Sequence, residues 1–145
     1  MFRKKNVLTN LVAVLVLYSG YVEANSYSCD VISSTQYFGR MAKDGRYSKP
    51  VKTTGQLELS DKFLTFQFKS PESASSTVLH STRFSAVKCE HDRCTRTAEL
   101  VKFENKSSID LVTASGKNPN VKIKAELYLE NELMMITTFS VDGCN

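Results

Sequence analysis

Residues 121–144, VKIKAELYLENELMMITTFSVDGC, begin with a strict alternation of apolar and other side chains. Every second position at the start of this stretch is apolar: Val121, Ile123, Ala125, Leu127 and Leu129. Successive side chains of a strand point to opposite faces, so this period predicts a half-buried antiparallel strand. A polar tip at 130–133 follows, and the pattern then resumes with apolar side chains in a returning strand. The stretch therefore predicts a β-hairpin near the C-terminus.

Residues 56–68, QLELSDKFLTFQF, repeat the same arrangement earlier in the chain. Pairing Leu59 with Leu64 and Leu57 with Phe66 places all four side chains on one face of a second hairpin. The two hairpins together predict an inward-facing set, which is Leu57, Leu59, Leu64, Phe66, Ile123, Leu127, Leu129 and Ile136. The opposite side of the last strand then carries four more apolar residues, for which we expect either an intramolecular cover from residues 33–50 or a contact patch: Leu133, Met135, Phe139 and Val141.

Eight or nine strand-like runs occur at the spacing of about 8–12 residues that is typical of sandwiches and barrels. No sustained helical period interrupts them, although residues 33–50 would fit either a short helix or a long ordered loop. The fold class is therefore all-β. A small antiparallel up-and-down β-barrel of about eight strands is the predicted architecture, because short connections suit it and closure removes sheet edges. A two-sheet β-sandwich is the alternative.

Residues 1–24 have the layout of a signal peptide. Arg3, Lys4 and Lys5 precede an apolar run at 11–18, and the short side chains around Ala24 predict cleavage after that residue. The apolar run is shorter than the roughly 20 residues that cross a bilayer as a helix. We therefore expect a single β-barrel domain, residues 25–145, that is periplasmic or secreted and has no membrane span.

The charge of the mature chain is small. Cleavage would remove three of the 19 Lys and Arg residues and one of the 15 Asp and Glu residues, which lowers the net charge from +4 to 16 − 14 = +2. No stretch concentrates Lys and Arg, so the sequence gives no indication of nucleic-acid binding.

The four cysteines all lie in the predicted mature part, and an even count in an exported chain indicates disulfides. Three pairings are possible. Cys89 and Cys94 flank a short loop between two strand-like runs, which favours a bond across a hairpin neck. That leaves Cys29 with Cys144, which would tie the first strand to the last.

Candidate catalytic and metal-binding residues are sparse. His80 and His91 have no second histidine at ligand spacing, and a thiolate site beside His91 conflicts with an oxidising compartment. There is no Gly-x-Ser-x-Gly elbow and no glycine-rich phosphate loop. We therefore expect a non-enzymatic protein without a cofactor or a bound metal.

The sequence predicts one candidate partner-binding site. Lys122, Lys124 and Tyr128 share the water-facing side of the predicted strand, and Lys117 lies in the loop that precedes it. A tyrosine beside cationic groups offers apolar area, a hydroxyl and positive charge to an acidic partner.

The segment Ala114-Ser115-Gly116-Lys117, together with the opening Tyr27-Ser28-Cys29, loosely resembles the periplasmic and membrane-bound inhibitors of C-type lysozyme. Those small barrels carry a Ser-Gly-x-Gly-x-x-Tyr loop. Ser115 and Gly116, with Lys117 nearby, match here, whereas the second glycine and the tyrosine of the pattern are missing.

The first functional hypothesis is an exported β-domain that binds another protein as an inhibitor or an immunity-type protector. Its partner would be a cell-wall-targeting enzyme or a toxin. The alternative is a lipocalin-like carrier of a small apolar ligand, which requires an interior cavity of a few hundred Å³ or more.

Overall fold

Antiparallel strands build most of the described chain, which in this computed structural model comprises residues 24–42, 46–69 and 75–145. The nine strands within those ranges are β1 (Asn25–Tyr37), β2 (Val51–Leu59), β3 (Leu64–Lys69), β4 (Ser76–His80), β5 (Lys88–Glu90), β6 (Arg93–Ala98), β7 (Ser107–Ala114), β8 (Asn120–Leu129) and β9 (Glu132–Asp142). A single turn of 3-10 helix, Gly39–Met41, follows β1. The all-β prediction is confirmed.

The strands form one curled sheet, a half-barrel, in the order β4-β3-β2-β1-β9-β8-β7-β6-β5. Every pair of neighbours is antiparallel, and each joins consecutive strands except for β1 and β9. The first and last strands therefore lie in the middle of the sheet, and the short connections run outward on both sides.

The hairpin of β2 and β3 has the predicted register. Leu59 lies opposite Leu64, and Leu57 lies opposite Phe66. The Ser60 hydroxyl accepts hydrogen bonds from the backbone N–H of Lys62 at 3.3 Å and of Phe63 at 3.0 Å, which fixes the turn between the strands.

The predicted faces of β9 are wrong. The turn from β8 is two residues long, and both of them, Glu130 and Asn131, have a positive φ, as in a type I′ turn. The pairing then shifts by one residue beside Leu127, which lies opposite Met135.

This shift reverses the side chains along the rest of β9. Ile123 lies opposite Phe139, and Val121 lies opposite Val141, so these two residues, which were assigned to the water side, lie on the core side. Met135 joins them opposite Leu127, whereas Leu133 stays on the water side opposite Tyr128. Ile136 pairs with Glu126 on the opposite face, and Leu129 is 54% exposed at the hairpin tip. Leu127 is half-buried on the core side, so two of the eight predicted inward positions fail: Leu129 and Ile136.

The core lies on the inner face of the curled sheet. Leu57, Phe66, Ile109, Ile123 and Val141 have no accessible surface there. Leu59 is partly buried and packs against this cluster, and so does Phe139, whose ring lies 5.0 Å from that of Phe68 between centroids.

Two disulfides are present, and they join the pairs that the sequence favours. Cys29 is bonded to Cys144, where β1 meets the end of β9, and both residues are buried. Cys89 is bonded to Cys94 across the hairpin of β5 and β6. Two disulfides are compatible with an extracellular or periplasmic protein.

The described parts of residues 33–50, which are 33–42 and 46–50, contain more strand and less helix than expected. β1 continues to Tyr37 because residues 33–37 pair with β9. The backbone N–H of Phe38 donates to the Met134 carbonyl at 2.9 Å, and the 3-10 turn then lies against β9. Phe139 and Val141, two of the residues for which this cover was predicted, pack in the core of the sheet instead.

The predicted signal peptide lies outside the described residues, apart from Ala24. No helix in the described part of the chain has the length and apolar character needed to span a membrane.

Candidate functional site

A broad groove lies on the sheet face opposite the core, above β6, β7 and β8. Its volume is about 760 Å³. The pairing of β6, β7 and β8 forms the floor of this groove, because Thr95 lies opposite Val112 and Asp110 lies opposite Lys122. We call this the basic groove, and its lining is Arg93, Thr95, Thr97, Asp110, Val112, Ala114, Lys117, Asn118, Asn120 and Lys122.

Positive charge dominates the basic groove. Arg93, Lys117 and Lys122 are cationic, and Asp110 is the single acid in the lining. No carboxylate among the described residues lies within salt-bridge distance of these three cations. The groove therefore presents unpaired positive charge on a polar floor, which suits an anionic surface.

The loop between β7 and β8 positions Lys117 at the rim. Gly116 has φ +71°, a left-handed conformation that other residues adopt at a cost. The Lys117 N–H donates to the Ala114 carbonyl at 3.1 Å, and the Ser115 N–H donates to the Asp92 carbonyl at 3.2 Å. The Asn118 amide donates to the Cys144 carbonyl at 2.5 Å, which attaches the loop to the end of the chain beside the buried disulfide.

Lys124 and Tyr128 lie on the same face of β8 but outside the groove, around Glu126. The Lys124 ammonium is 3.2 Å from one Glu126 carboxylate oxygen, and the Tyr128 hydroxyl donates to the other at 2.9 Å. The Lys106 ammonium stands 5.4 Å from the centre of the Tyr128 ring, within cation–π range. Lys106, Lys124 and Glu126 also line a small pocket of about 100 Å³.

These contacts shift two pKa values. The hydrogen bond from Tyr128, and then the contact with Lys124, lower the pKa of the Glu126 carboxyl below its ordinary value. The same bond to Glu126 raises the pKa of Tyr128. Lys124 and Tyr128 are thus already engaged by Glu126, whereas Lys117 and Lys122 form no salt bridge with any residue that the structure describes.

The structure therefore divides the four predicted site residues between two adjoining clusters. It also adds Arg93 and Lys106, which the sequence did not single out. Because Arg93 and Cys94 are adjacent in a strand, their side chains point to opposite faces of the sheet. No local pattern in the sequence, however, predicts that β6 lies two strands away from β8.

A smaller cavity of about 230 Å³ opens on the inner face, at one end of the half-barrel. It is lined by Asn25, Tyr27, Leu59, Ser60, Asp61, Arg96, Leu111 and Thr113. In the ranges 24–42, 46–69 and 75–145, no group of three or more His, Cys, Asp or Glu side chains could hold a metal ion. His80 accepts from or donates to the Thr65 hydroxyl at 3.2 Å.

No protein-family model, curated protein or solved structure matches this chain. The arguments about its function therefore rest on its own residues.

Proposed function

We propose that this chain is an exported, non-enzymatic β-domain that binds an acidic protein through the basic groove. It would act as an inhibitor or an immunity-type protector against a cell-wall-targeting enzyme or a toxin. The main support is that three cationic residues, Arg93, Lys117 and Lys122, line one groove of about 760 Å³. None of them has a salt-bridge partner among the described residues.

The composition of the groove supports a protein partner of negative charge. Its threonine and asparagine side chains offer hydrogen-bond donors and acceptors, and Val112 and Ala114 add apolar area to the floor. Unpaired cations on such a surface accelerate association with an acidic partner and discriminate against basic ones. Tyr128, held by Glu126 and Lys106, would extend this surface along β8.

Export to the periplasm or the extracellular space is part of this proposal. It is supported by the predicted signal peptide at 1–24 and by the two disulfides, which persist in oxidising compartments.

We also propose that the curled sheet works as a closed up-and-down barrel. Support comes from the segment after β4, where the Thr82 N–H donates to the Glu99 carbonyl at 2.8 Å and the Val101 N–H donates to the His80 carbonyl at 2.9 Å. Ser81 bridges to Leu100 in the same place. These bonds link the β4 side of the sheet to the residues that follow β6.

The carrier hypothesis has less support. The inner cavity of about 230 Å³ is smaller than the roughly 300–1,000 Å³ typical of pockets for drug-sized ligands, and polar residues form much of its lining. Fully buried side chains such as Phe66 and Ile123 fill the interior beside it.

Site-specific photo-crosslinking in the native compartment tests the proposed function. A photoreactive residue would replace Asn120 in the basic groove, and in a matched control it would replace Thr54, an exposed residue of β2. We expect one acidic protein to be crosslinked from Asn120 and not from Thr54. Equal crosslinking from both positions, or none from Asn120, would contradict the proposal.

A further inference from the structure

Arg96 is a charged residue in a core-facing position. It lies directly opposite Leu111, which is 3% exposed, and two residues before the buried Ala98. Among the core-facing positions of β6, β7 and β8, no other residue is charged. A charged side chain on the apolar face of a sheet needs compensating contacts, so its surroundings indicate what it can bind.

The guanidinium of Arg96 lines the inner cavity and uses only part of its hydrogen-bonding capacity on the protein. Its Nη1 donates to the Asp61 carbonyl at 2.7 Å, which is its one hydrogen bond to a described residue. A guanidinium has five N–H donors in a planar fork, so most of them remain available to a ligand.

Two residues that carry hydroxyl groups, Tyr27 and Thr113, also line this cavity. Tyr27 belongs to β1, and Thr113 belongs to β7. Neither hydroxyl is hydrogen-bonded to another residue in the described ranges. β1 and β7 are separated by β9 and β8 in the sheet, so the cavity is enclosed by the curl and not by adjacent strands.

We propose that this cavity binds the carboxylate of a small organic acid. The Arg96 fork would donate two parallel hydrogen bonds to the two carboxylate oxygens, which is the strongest arrangement for this pair. The hydroxyls of Tyr27 and Thr113 add donors, and Leu59 and Leu111 contact the apolar part of the ligand. The volume of about 230 Å³ limits the ligand to a small molecule.

An acidic residue, Asp61, also lines the cavity. Its negative charge opposes every carboxylate that enters, and it repels a dicarboxylate more strongly than a monocarboxylate. Monocarboxylates such as butyrate should therefore bind more tightly than dicarboxylates such as succinate. This site lies on the opposite face of the sheet from the basic groove and is independent of the function proposed for that groove.

NMR titration of the disulfide-bonded, exported protein tests this inference, with sodium butyrate, sodium succinate and sodium chloride at matched ionic strength. We expect butyrate to produce saturating shifts of the Arg96 side-chain N–H and of the Tyr27 and Thr113 amides. Succinate should require a higher concentration, and chloride should give no saturation. A blocked tripeptide with a central aspartate tests the other source of a carboxylate, an acidic side chain of a protein.

Arg96→Gln should weaken butyrate binding by about tenfold or more, because it removes a charge-assisted bidentate pair. Tyr27→Phe should weaken butyrate binding less than Arg96→Gln does. This variant retains the hydrogen bond from Arg96 to Asp61, so it tests the site even if Arg96→Gln fails to fold. Lys52→Gln, at an exposed position of β2 outside both sites, should leave butyrate binding unchanged. Shifts from chloride equal to those from butyrate, unchanged binding in a folded Arg96→Gln, or binding of the tripeptide but not of butyrate would overturn the proposal.

Discussion

Gly55 lies directly against the ring of Phe66. A β-carbon built on Gly55 would stand 2.6 Å from the Phe66 Cε2 atom and 2.9 Å from the Gln67 carbonyl oxygen. β1 and β3 flank β2 at this point, since Gly55 pairs with Cys29 on one side and Phe68 on the other. The missing side chain thus makes room for an aromatic ring at the centre of the core, next to the disulfide of Cys29.

Gly55→Ala should destabilise the fold by about 1–3 kcal/mol, because the added methyl group overpacks the core against a backbone carbonyl as well as a ring. Urea unfolding of the disulfide-bonded protein measures this change. Combining it with Phe66→Leu should give less than the sum of the two single losses, since the smaller side chain frees space. Additive losses would show that the ring is not the obstacle.

The two disulfides should contribute unequally to stability. The Cys29–Cys144 bond spans 115 residues, and the Cys89–Cys94 bond spans 5. In the chain-entropy treatment, these loops correspond to about 5 and about 2 kcal/mol. We expect the double variant Cys29→Ala with Cys144→Ala to lose more free energy of unfolding than Cys89→Ala with Cys94→Ala. The reverse order would contradict this account of the core.

Alanine substitutions on β9 test the reversed faces. Phe139→Ala should destabilise by about 2–4 kcal/mol, because its ring packs against Phe68 and the core cluster. Ile136→Ala should cost about 1 kcal/mol, because Ile136 lies half-buried on the other face opposite Glu126. Chemical unfolding of both variants gives the comparison. If Ile136→Ala cost more than Phe139→Ala, the shift beside Leu127 would be wrong.

The Glu126 carboxyl should titrate in a way that depends on Tyr128. Its pKa is lowered by the Tyr128 hydroxyl first and by Lys124 second. A lowered pKa means that the carboxylate stabilises the fold above the ordinary carboxyl pKa, and that this stabilisation is lost as the pH falls through the folded value.

Tyr128→Phe should therefore raise the Glu126 pKa toward its ordinary value and reduce the pH dependence of stability in the acid range. NMR observation of the Glu126 carboxyl carbon measures the first effect. Lys124→Met should raise the pKa as well, because both the hydrogen bond and the charge of Lys124 lower it. An unchanged Glu126 pKa in Tyr128→Phe would show that the hydrogen bond does not form in solution.

The alternation of apolar and polar residues was enough to predict the register of a hairpin where the turn is simple. The β2–β3 hairpin has its predicted register because four residues with a serine-based turn separate two strands of opposite direction. The sequence hides the two-residue turn of the last hairpin, because neither Glu130 nor Asn131 is a glycine and both have a positive φ. Shortening the predicted tip from four residues to two moves the pairing by an even number of residues, which alone would leave the predicted faces unchanged. A shift of one residue at Met134 then exchanged the two faces of β9.

The candidate site was predictable in part. The alternation along β8 places Lys122, Lys124 and Tyr128 on one face, and the structure has them there. The division between the basic groove and the Glu126 cluster depends on side-chain contacts. The roles of Arg93 and Arg96 depend on which strands flank β7, and that pairing order is set by the whole sheet.

The affinity of the crosslinked partner for a charge-reversed groove tests the central claim most directly. Lys117→Glu with Lys122→Glu reverses two exposed cations of the groove, and Lys52→Glu with Lys69→Glu makes the same charge change on exposed residues of β2 and β3. We expect the groove variant to fold normally and to lose affinity by about tenfold or more, largely through slower association, while the control stays near the wild type. Unchanged affinity and association rate in the folded groove variant, or an equal loss in the control, would contradict the claim that this groove is the binding surface.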